Sequence, residues 1–196
     1  MDISPRHRHS VHHYHDPGDL HELTFSCHNH LPLLTNDHWR RLLAESISRA
    51  LANHAFALVA FVFMPEHVHL LVYPSGPDVR MDPFLYAIKR PFSYRIKMIL
   101  QESRSPLLNT LTVVETSGKA VFRFWQKGPG YDRNLKTTSA AVSSIDYIHA
   151  NPVRRGLSER IEQWKWSSAR WYLSDRQCVD PDLPAIQGLP TEFLDS

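Results

Sequence analysis

Two histidines that stand two residues apart, His67 and His69, are the first candidates for chemistry in this sequence. They open an apolar run that ends at Tyr73, and the composition of this run predicts a β-strand. Because strand side chains alternate between faces, both imidazoles would lie on one face and Val68 on the other. Two neutral imidazole nitrogens on one face can bind a single metal ion. The spacing fits two polar residues on a half-exposed sheet face equally well, so the pair needs a third group.

A second pair of chemical groups lies far downstream, at Tyr147 and Asn151. These residues are four positions apart in a predicted helix, so their side chains share one face about a turn apart. A tyrosine hydroxyl can attack phosphorus, and an amide carbonyl can bind a hard divalent cation. If this face meets the histidines, the mixed nitrogen and oxygen set suits Mg²⁺ or Mn²⁺. Without that contact, Tyr147 is a tyrosine at the edge of the core and Asn151 precedes a helix-ending proline.

Strands and helices predicted from periodicity and capping residues must position these groups. The expected strands are Leu20–Ser26, Phe56–Met64, His67–Tyr73 and Val121–Gln126, and the expected helices run from His38 to Asn53, from Asp82 to about Gln101 and from Thr137 or Thr138 to about Ala150. Pro91 is expected to kink or interrupt the second helix. The order βαββαβα predicts an α+β, ferredoxin-like fold, with an antiparallel sheet and helices mainly on one face.

Composition limits the class of protein and its organisation. With 196 residues, 42% of them hydrophobic and 21% charged, the chain is expected to form one globular domain over residues 18–175. Residues 1–17 are expected to form a flexible, histidine-rich arm, and residues 176–196 an extended C-terminal tail. No apolar run approaches the ~20 residues that span a bilayer, and the N-terminus is unlike a signal peptide. These features predict a cytoplasmic protein with no membrane contact.

Several segments, taken together and in order, resemble the HUH single-strand DNA nucleases. The segment Phe63–Val72 resembles their His-hydrophobic-His motif, and Tyr147–Gly156 resembles the tyrosine helix of the single-tyrosine transposases of the IS200-like class. Trp164–Ala169 is similar to the W-x-W-S-S-A tail of the REP-associated tyrosine transposases within that class. Two short segments, Phe124–Gln126 and Tyr131–Arg133, resemble the part of that family between its second and third helices.

The resemblance implies roles for four residues. His67, His69 and Asn151 would bind a divalent metal, Mg²⁺ or Mn²⁺, and Tyr147 would be the nucleophile. It implies a metal-dependent endonuclease and strand transferase that forms a 5′-phosphotyrosine, with single-stranded or hairpin DNA from repeats as its partner. A dimer with a composite site and a monomer that closes its own site are both compatible with it.

Other residues and functions remain in competition at this point. The expected DNA contacts are Trp125, Arg133, Arg154 and Arg155, because single strands bind to basic grooves with stacking aromatics. Tyr94 and Tyr131 are weaker candidates for the nucleophile because neither has an amide one turn away. His149 is expected to be a surface or DNA-contact residue and not the base. The alternative functions are a non-catalytic nucleic-acid-binding module on the same fold and a metal-dependent hydrolase without a covalent intermediate.

Overall fold

A computed structural model describes residues 19–76, 79–128 and 130–194. The predicted N-terminal arm, residues 1–17, lies outside this range. The strands are β1 (Leu20–Ser26), β2 (Phe56–Phe63), β3 (His67–Pro74), β4 (Thr112–Val114), β5 (Ala120–Phe122) and β6 (Tyr131–Leu135). The helices are α1 (Asp37–Asn53), α2 (Met81–Glu102), α3 (Leu107–Thr110), α4 (Thr138–Arg154), α5 (Ala169–Leu173) and α6 (Thr191–Leu194).

The main sheet has four antiparallel strands in the order β2-β3-β1-β6. It has layers of helices on both faces. Helices α1 and α2 cover the face that carries Leu23, Phe25 and Val68, whereas α4 covers the face that carries Leu20 and Leu71. The mixed α and β fold with an antiparallel sheet is therefore confirmed. The expectation that the helices lie mainly on one face is true of α1 and α2 and wrong for α4.

The fourth strand of the main sheet is β6, so the predicted fourth core strand, Val121–Gln126, is wrong. Val121 and Phe122 instead belong to β5, which pairs with β4 in a separate two-stranded sheet. The apolar residues that suggested a strand are used differently: Phe124 and Trp125 pack into the core beside α2. Strand β6 is polar, so a search of the sequence for apolar runs does not find it. An edge strand paired only with β1 needs few buried side chains.

Helix ends in the structure also depart from the predictions at two prolines. Helix α2 runs from Met81 to Glu102 without a break, although Pro91 lies inside it. Pro91 is exposed and cannot donate a hydrogen bond to the carbonyl of Ala87 four residues earlier, yet the helix continues past this missing bond. Helix α4 continues through Pro152 to Arg154 instead of ending near Ala150. This extra turn brings Arg154 into the last turn of the helix.

The C-terminal segment after α4 packs against the outer edge of β2. The backbone amide of Phe63 donates to Trp166, that of Ser168 donates to Phe61, and that of Gln187 donates to Leu58. Because β3 occupies the other side of β2, these contacts satisfy an edge that would otherwise be open. Within the described residues, no helix is both long and apolar enough to cross a membrane.

Candidate active site

His67 and His69 lie at the start of β3 and their rings converge. The two Nε2 atoms are 3.0 Å apart, and the ring planes are nearly perpendicular at 88°. Val68, between them, faces the opposite layer and joins the core beside α1 and α2. The predicted alternation is therefore confirmed, and it places both imidazoles on the face covered by α4.

The other nitrogen of each imidazole is held by a neighbouring residue. Nδ1 of His69 lies 2.8 Å from Oγ1 of Thr24, its cross-strand neighbour on β1. Nδ1 of His67 lies 3.2 Å from a carboxylate oxygen of Glu66, which also forms an ion pair with Arg155. Because a carboxylate accepts a hydrogen bond from Nδ1–H, the lone pair of His67 is left on Nε2. Partners of this kind orient histidines that bind metals.

The electrostatics of this pair favour a cation between the rings. Burial lowers the pKa of His67. Burial, and then the positive charge that a protonated His67 would carry, lower the pKa of His69 to about 3. Both rings are therefore neutral near pH 7. When Thr24 donates to Nδ1 of His69, Nε2–H of His69 can donate to the lone pair on Nε2 of His67 at 3.0 Å, and a bound cation would take the place of that proton. The donor set of the pair fits a divalent metal.

Tyr147 lies on α4 directly over the histidines. Its ring centroid is 5.8 Å from that of His69, and 42% of the residue is exposed to solvent. The guanidinium of Arg154 lies 5.1 Å from the centroid of the Tyr147 ring. One chain thus brings a phenol, an arginine and the two imidazoles together. The contact between the helix face and the strand face, on which the sequence argument depended, is present.

Asn151 is buried one turn after Tyr147. Its Nδ2 donates to the backbone carbonyl of Tyr147 at a distance of 2.8 Å. Oδ1 is the atom of this side chain that could bind a cation. No three histidine, cysteine, aspartate or glutamate side chains in the described ranges are grouped so that they could hold a metal. Among the residues that the structure describes, a third protein ligand would therefore be of another type, such as this amide oxygen.

The residues expected to contact DNA fall into different environments. The prediction that Trp125 stacks on a DNA base is wrong. Trp125 is 7% exposed and packs against Phe25 and Phe92 in the core, so neither face of its ring is available for a base. Arg133 is half exposed and lies 3.5 Å from Glu22. Arg155 is paired with Glu66 and still largely exposed. The roles of the three arginines in DNA binding stay predictions.

His149 was expected at the surface and is buried instead. Its Nε2 lies 2.8 Å from Oγ of Ser168, and burial lowers its pKa to about 4, so the ring is neutral at pH 7. Its position two residues from Tyr147 turns it away from the histidine pair and toward β2. His149 thus joins the tyrosine helix to the C-terminal motif.

Sequence reasoning missed several residues that face the candidate nucleophile. A cleft of about 420 Å³ between α4 and the sheet contains Glu22, Thr24, His69, Tyr131, Arg133, Ser143, Ser144 and Tyr147. Thr24 and Glu22 alternate along β1 with the same period as the two histidines, but only the strand register shows that Thr24 lies opposite His69 and Glu22 opposite Leu71, the next residue on that face. Tyr131 lines this cleft as well, whereas Tyr94 lies on α2 on the other face of the sheet.

Comparisons with known proteins find relatives of one kind. No protein-family model matches the chain. It is 28% identical over 116 residues to a protein of Haemophilus influenzae (strain Rd) provisionally named as a REP-associated tyrosine transposase, and the match covers 59% of this chain and 60% of that relative. It is 24% identical over 139 residues to the REP-associated tyrosine transposase of Escherichia coli (strain K12), with 69% and 67% covered.

A solved structure supports the same relationship at the level of the fold. The chain resembles a REP-associated tyrosine transposase bound to a REP hairpin, with a TM-score of 0.65 and 19% identity, over 95% of this chain and 96% of that one. The resemblance to the IS200-like class, and within it to the REP-associated tyrosine transposases, is thereby confirmed. The chain matches only about three fifths of the length of the first relative, so its activity and substrate are matters for a proposal.

Proposed function

We propose that this chain is a transposase-like enzyme that cuts and rejoins single-stranded DNA at hairpin-forming repeats. Tyr147 is its nucleophile, and His67 and His69 hold a divalent metal, Mg²⁺ or Mn²⁺. The observation that carries the proposal is the position of the Tyr147 ring, 5.8 Å from an imidazole whose Nε2 faces a second imidazole at 3.0 Å. The relatives are named as transposases, and the structural neighbour is described as bound to a REP hairpin, which supports hairpin DNA as the substrate.

In the proposed reaction, Oη of Tyr147 attacks the scissile phosphorus while the bond from phosphorus to the 3′-oxygen breaks. The phenol gives up its proton, the departing 3′-oxygen gains one, and the products are a 5′-phosphotyrosine and a 3′-hydroxyl. One phosphorus–oxygen ester bond replaces another, so a second 3′-hydroxyl can reverse the step and join a new strand without ATP. A bound divalent cation would supply charge neutralisation at a non-bridging phosphate oxygen.

The residues around the nucleophile have separate tasks in this proposal. Thr24 and Glu66 hold the two imidazoles so that both Nε2 atoms face one point. Asn151 would offer Oδ1 as a third ligand, because its Nδ2 is bound to the carbonyl of Tyr147. Arg154, above the phenol ring, lies where it can attract the phosphate to the attacking oxygen.

We also propose that one chain completes its own site and that the sheet is ferredoxin-like. The strand order β2-β3-β1-β6, with α1 and α2 on one face, supports that assignment, with α4 added on the other face. A mixture of the Tyr147→Phe and His69→Gln variants tests the single-chain site. A site within one chain leaves the mixture without adduct. Adduct formed by the mixture would show that the site is shared between the two subunits of a dimer.

A denaturing gel tests the chemistry. A labelled hairpin oligonucleotide with single-stranded flanks is incubated with protein, with and without Mn²⁺. We expect a covalent protein–DNA band that requires the metal, disappears in Tyr147→Phe and persists in Tyr94→Phe, a control on the opposite side of the sheet, and in Tyr131→Phe.

Other outcomes of the same gel would favour the competing functions. Cleavage without a protein band would indicate a hydrolase. A salt-sensitive shift on a native gel, with no cleavage in any metal, would indicate a binding module. An adduct that survives Tyr147→Phe would overturn the assignment of the nucleophile.

A further inference from the structure

A carboxylate lies in the cleft beside the candidate nucleophile, and the proposed chemistry gives it no task. Glu22, on β1, is only 7% exposed and lines the same cleft as Tyr147. Its Oε2 accepts a hydrogen bond from Oγ of Ser144 at 3.1 Å and lies 3.5 Å from Nη2 of Arg133. These contacts hold the carboxylate in place at the floor of the cleft.

Glu22 is unsuited to either of the two obvious roles in a DNA-cleaving site. Its negative charge repels a phosphate, so it does not bind the backbone. It also does not complete a metal site, because the described residues contain no group of three acidic, histidine or cysteine side chains that could share an ion. A buried carboxylate in a cleft instead suits a neutral partner that brings hydrogen-bond donors, and the edge of a nucleobase is such a partner.

The rest of the cleft has the groups that bind an unstacked base. Tyr131, at the start of β6, is 55% exposed and offers a ring for stacking. Arg133, two residues along the same strand, presents guanidinium donors beside the Glu22 carboxylate. An acceptor beside a donor matches a base edge on which an exocyclic amine lies next to a ring nitrogen that accepts. Adenine, cytosine and guanine have such an edge, whereas thymine has no exocyclic amine.

We propose that this cleft holds one unstacked base that carries an exocyclic amine, next to the scissile phosphate. Glu22 accepts from the exocyclic amine of the base, Arg133 donates to the ring nitrogen beside it, and Tyr131 stacks on its face. The inference rests on the proposed function for the position of the scissile phosphate. It adds a direct readout of one base by the protein.

The test uses the full chain and a set of hairpin oligonucleotides in which each position flanking the cut is changed in turn to every base. For the wild type we expect one flanking position at which adenine, cytosine and guanine each give at least about ten-fold more adduct than thymine. Glu22→Gln, which keeps a partner for Ser144, reduces this ratio to about one. Glu45→Gln is the matched control because Glu45, on α1, pairs with Arg95, on α2, on the other face of the sheet. This variant keeps the wild-type ratio.

Binding measurements separate this inference from the proposed function. If the wild type forms no adduct, the proposed function fails. The base preference can still be measured as binding of the same oligonucleotides, by comparing the fluorescence anisotropy of Tyr147→Phe with that of Tyr147→Phe/Glu22→Gln. Arg133→Gln, at a half-exposed site, gives a second test should Glu22→Gln fail to fold. The inference is overturned if the wild type shows no preference or prefers thymine, or if Glu22→Gln keeps the preference. Equal loss of adduct for all four bases would assign Glu22 to the chemistry instead.

Discussion

Replacing Ser168 by alanine tests whether the C-terminal motif fixes the tyrosine helix to the sheet. Ser168 is fully buried. Its Oγ accepts a hydrogen bond from the backbone amide of Phe61 at 2.9 Å, and it lies 2.8 Å from Nε2 of His149 and 3.2 Å from the carbonyl of Phe61. One hydroxyl therefore links the edge strand β2 to helix α4.

The expected loss of stability in Ser168→Ala follows from the buried polar groups that lose their hydrogen-bond partner. Phe61 keeps its carbonyl partner, the backbone amide of Ser168, but its own amide loses its acceptor. Nε2 of His149 loses its partner as well, inside a site where this residue is only 5% exposed. Each buried polar group left unpaired costs ~1–3 kcal/mol, so Ser168→Ala should lower the free energy of unfolding by roughly 3 kcal/mol. For a chain of this size, that loss corresponds to a fall in Tm of about 10 °C.

Ser46→Ala is the matched control for this change. Ser46 is also buried, but its Oγ donates to the carbonyl of Leu42 one turn earlier in α1, so its removal leaves no donor unpaired. Alanine also favours the helix, so this variant should unfold within about 2 °C of the wild type. Thermal unfolding followed by circular dichroism measures both variants. Equal Tm values for Ser168→Ala and Ser46→Ala would refute the argument that the hydroxyl joins α4 to β2.

Two further predictions concern other positions. Gly130→Ala should lower the free energy of unfolding by roughly 3 kcal/mol, because Gly130 has φ +94° and an added Cβ would lie 2.3 Å from the carbonyl oxygen of Thr24. Gly118→Ala is the control: with φ +79° and open space around it, it should cost only about 1 kcal/mol. Equal losses for the two variants in urea unfolding would contradict this prediction. Burial raises the pKa of the Cys27 thiol to about 12, so iodoacetamide at pH 8 should modify only Cys178 until the protein is unfolded. Mass spectrometry measures the modification of each cysteine, and finding Cys27 modified in the folded protein would contradict this prediction.

The elements nearest the chemistry could be predicted because their signals are local. The apolar stripe and the cap of α1 need no knowledge of the rest of the chain: Asn36 accepts from the amides of His38 and Trp39, as its position before the helix suggests. Thr137 caps α4 in the same way through the amide of Ala140. The alternation of His67 and His69 is likewise a property of one strand.

The errors arise where burial depends on distant partners. Trp125 follows an apolar stretch that looks like a strand, yet the space for its ring is created by Phe25 on β1 and Phe92 on α2. His149 has the composition of a surface residue, and only the return of the C-terminal segment to β2 covers it. Thr24 and Glu22 could not be assigned to the site because strand register is set by the whole sheet.

Two contacts, both after Tyr147 in the chain, hold the C-terminal half of α4 against the rest of the structure. His149 binds Ser168 two residues after Tyr147, and Arg155, just after the end of α4, forms an ion pair with Glu66, which in turn contacts His67. The position of the phenol is thereby tied to the same hairpin that carries the imidazoles. The proposed strand exchange requires the 3′-hydroxyl that departs to be replaced by another while the 5′ end stays on Tyr147. With α4 held at these two places, we expect the DNA ends, and not the nucleophile, to make that movement.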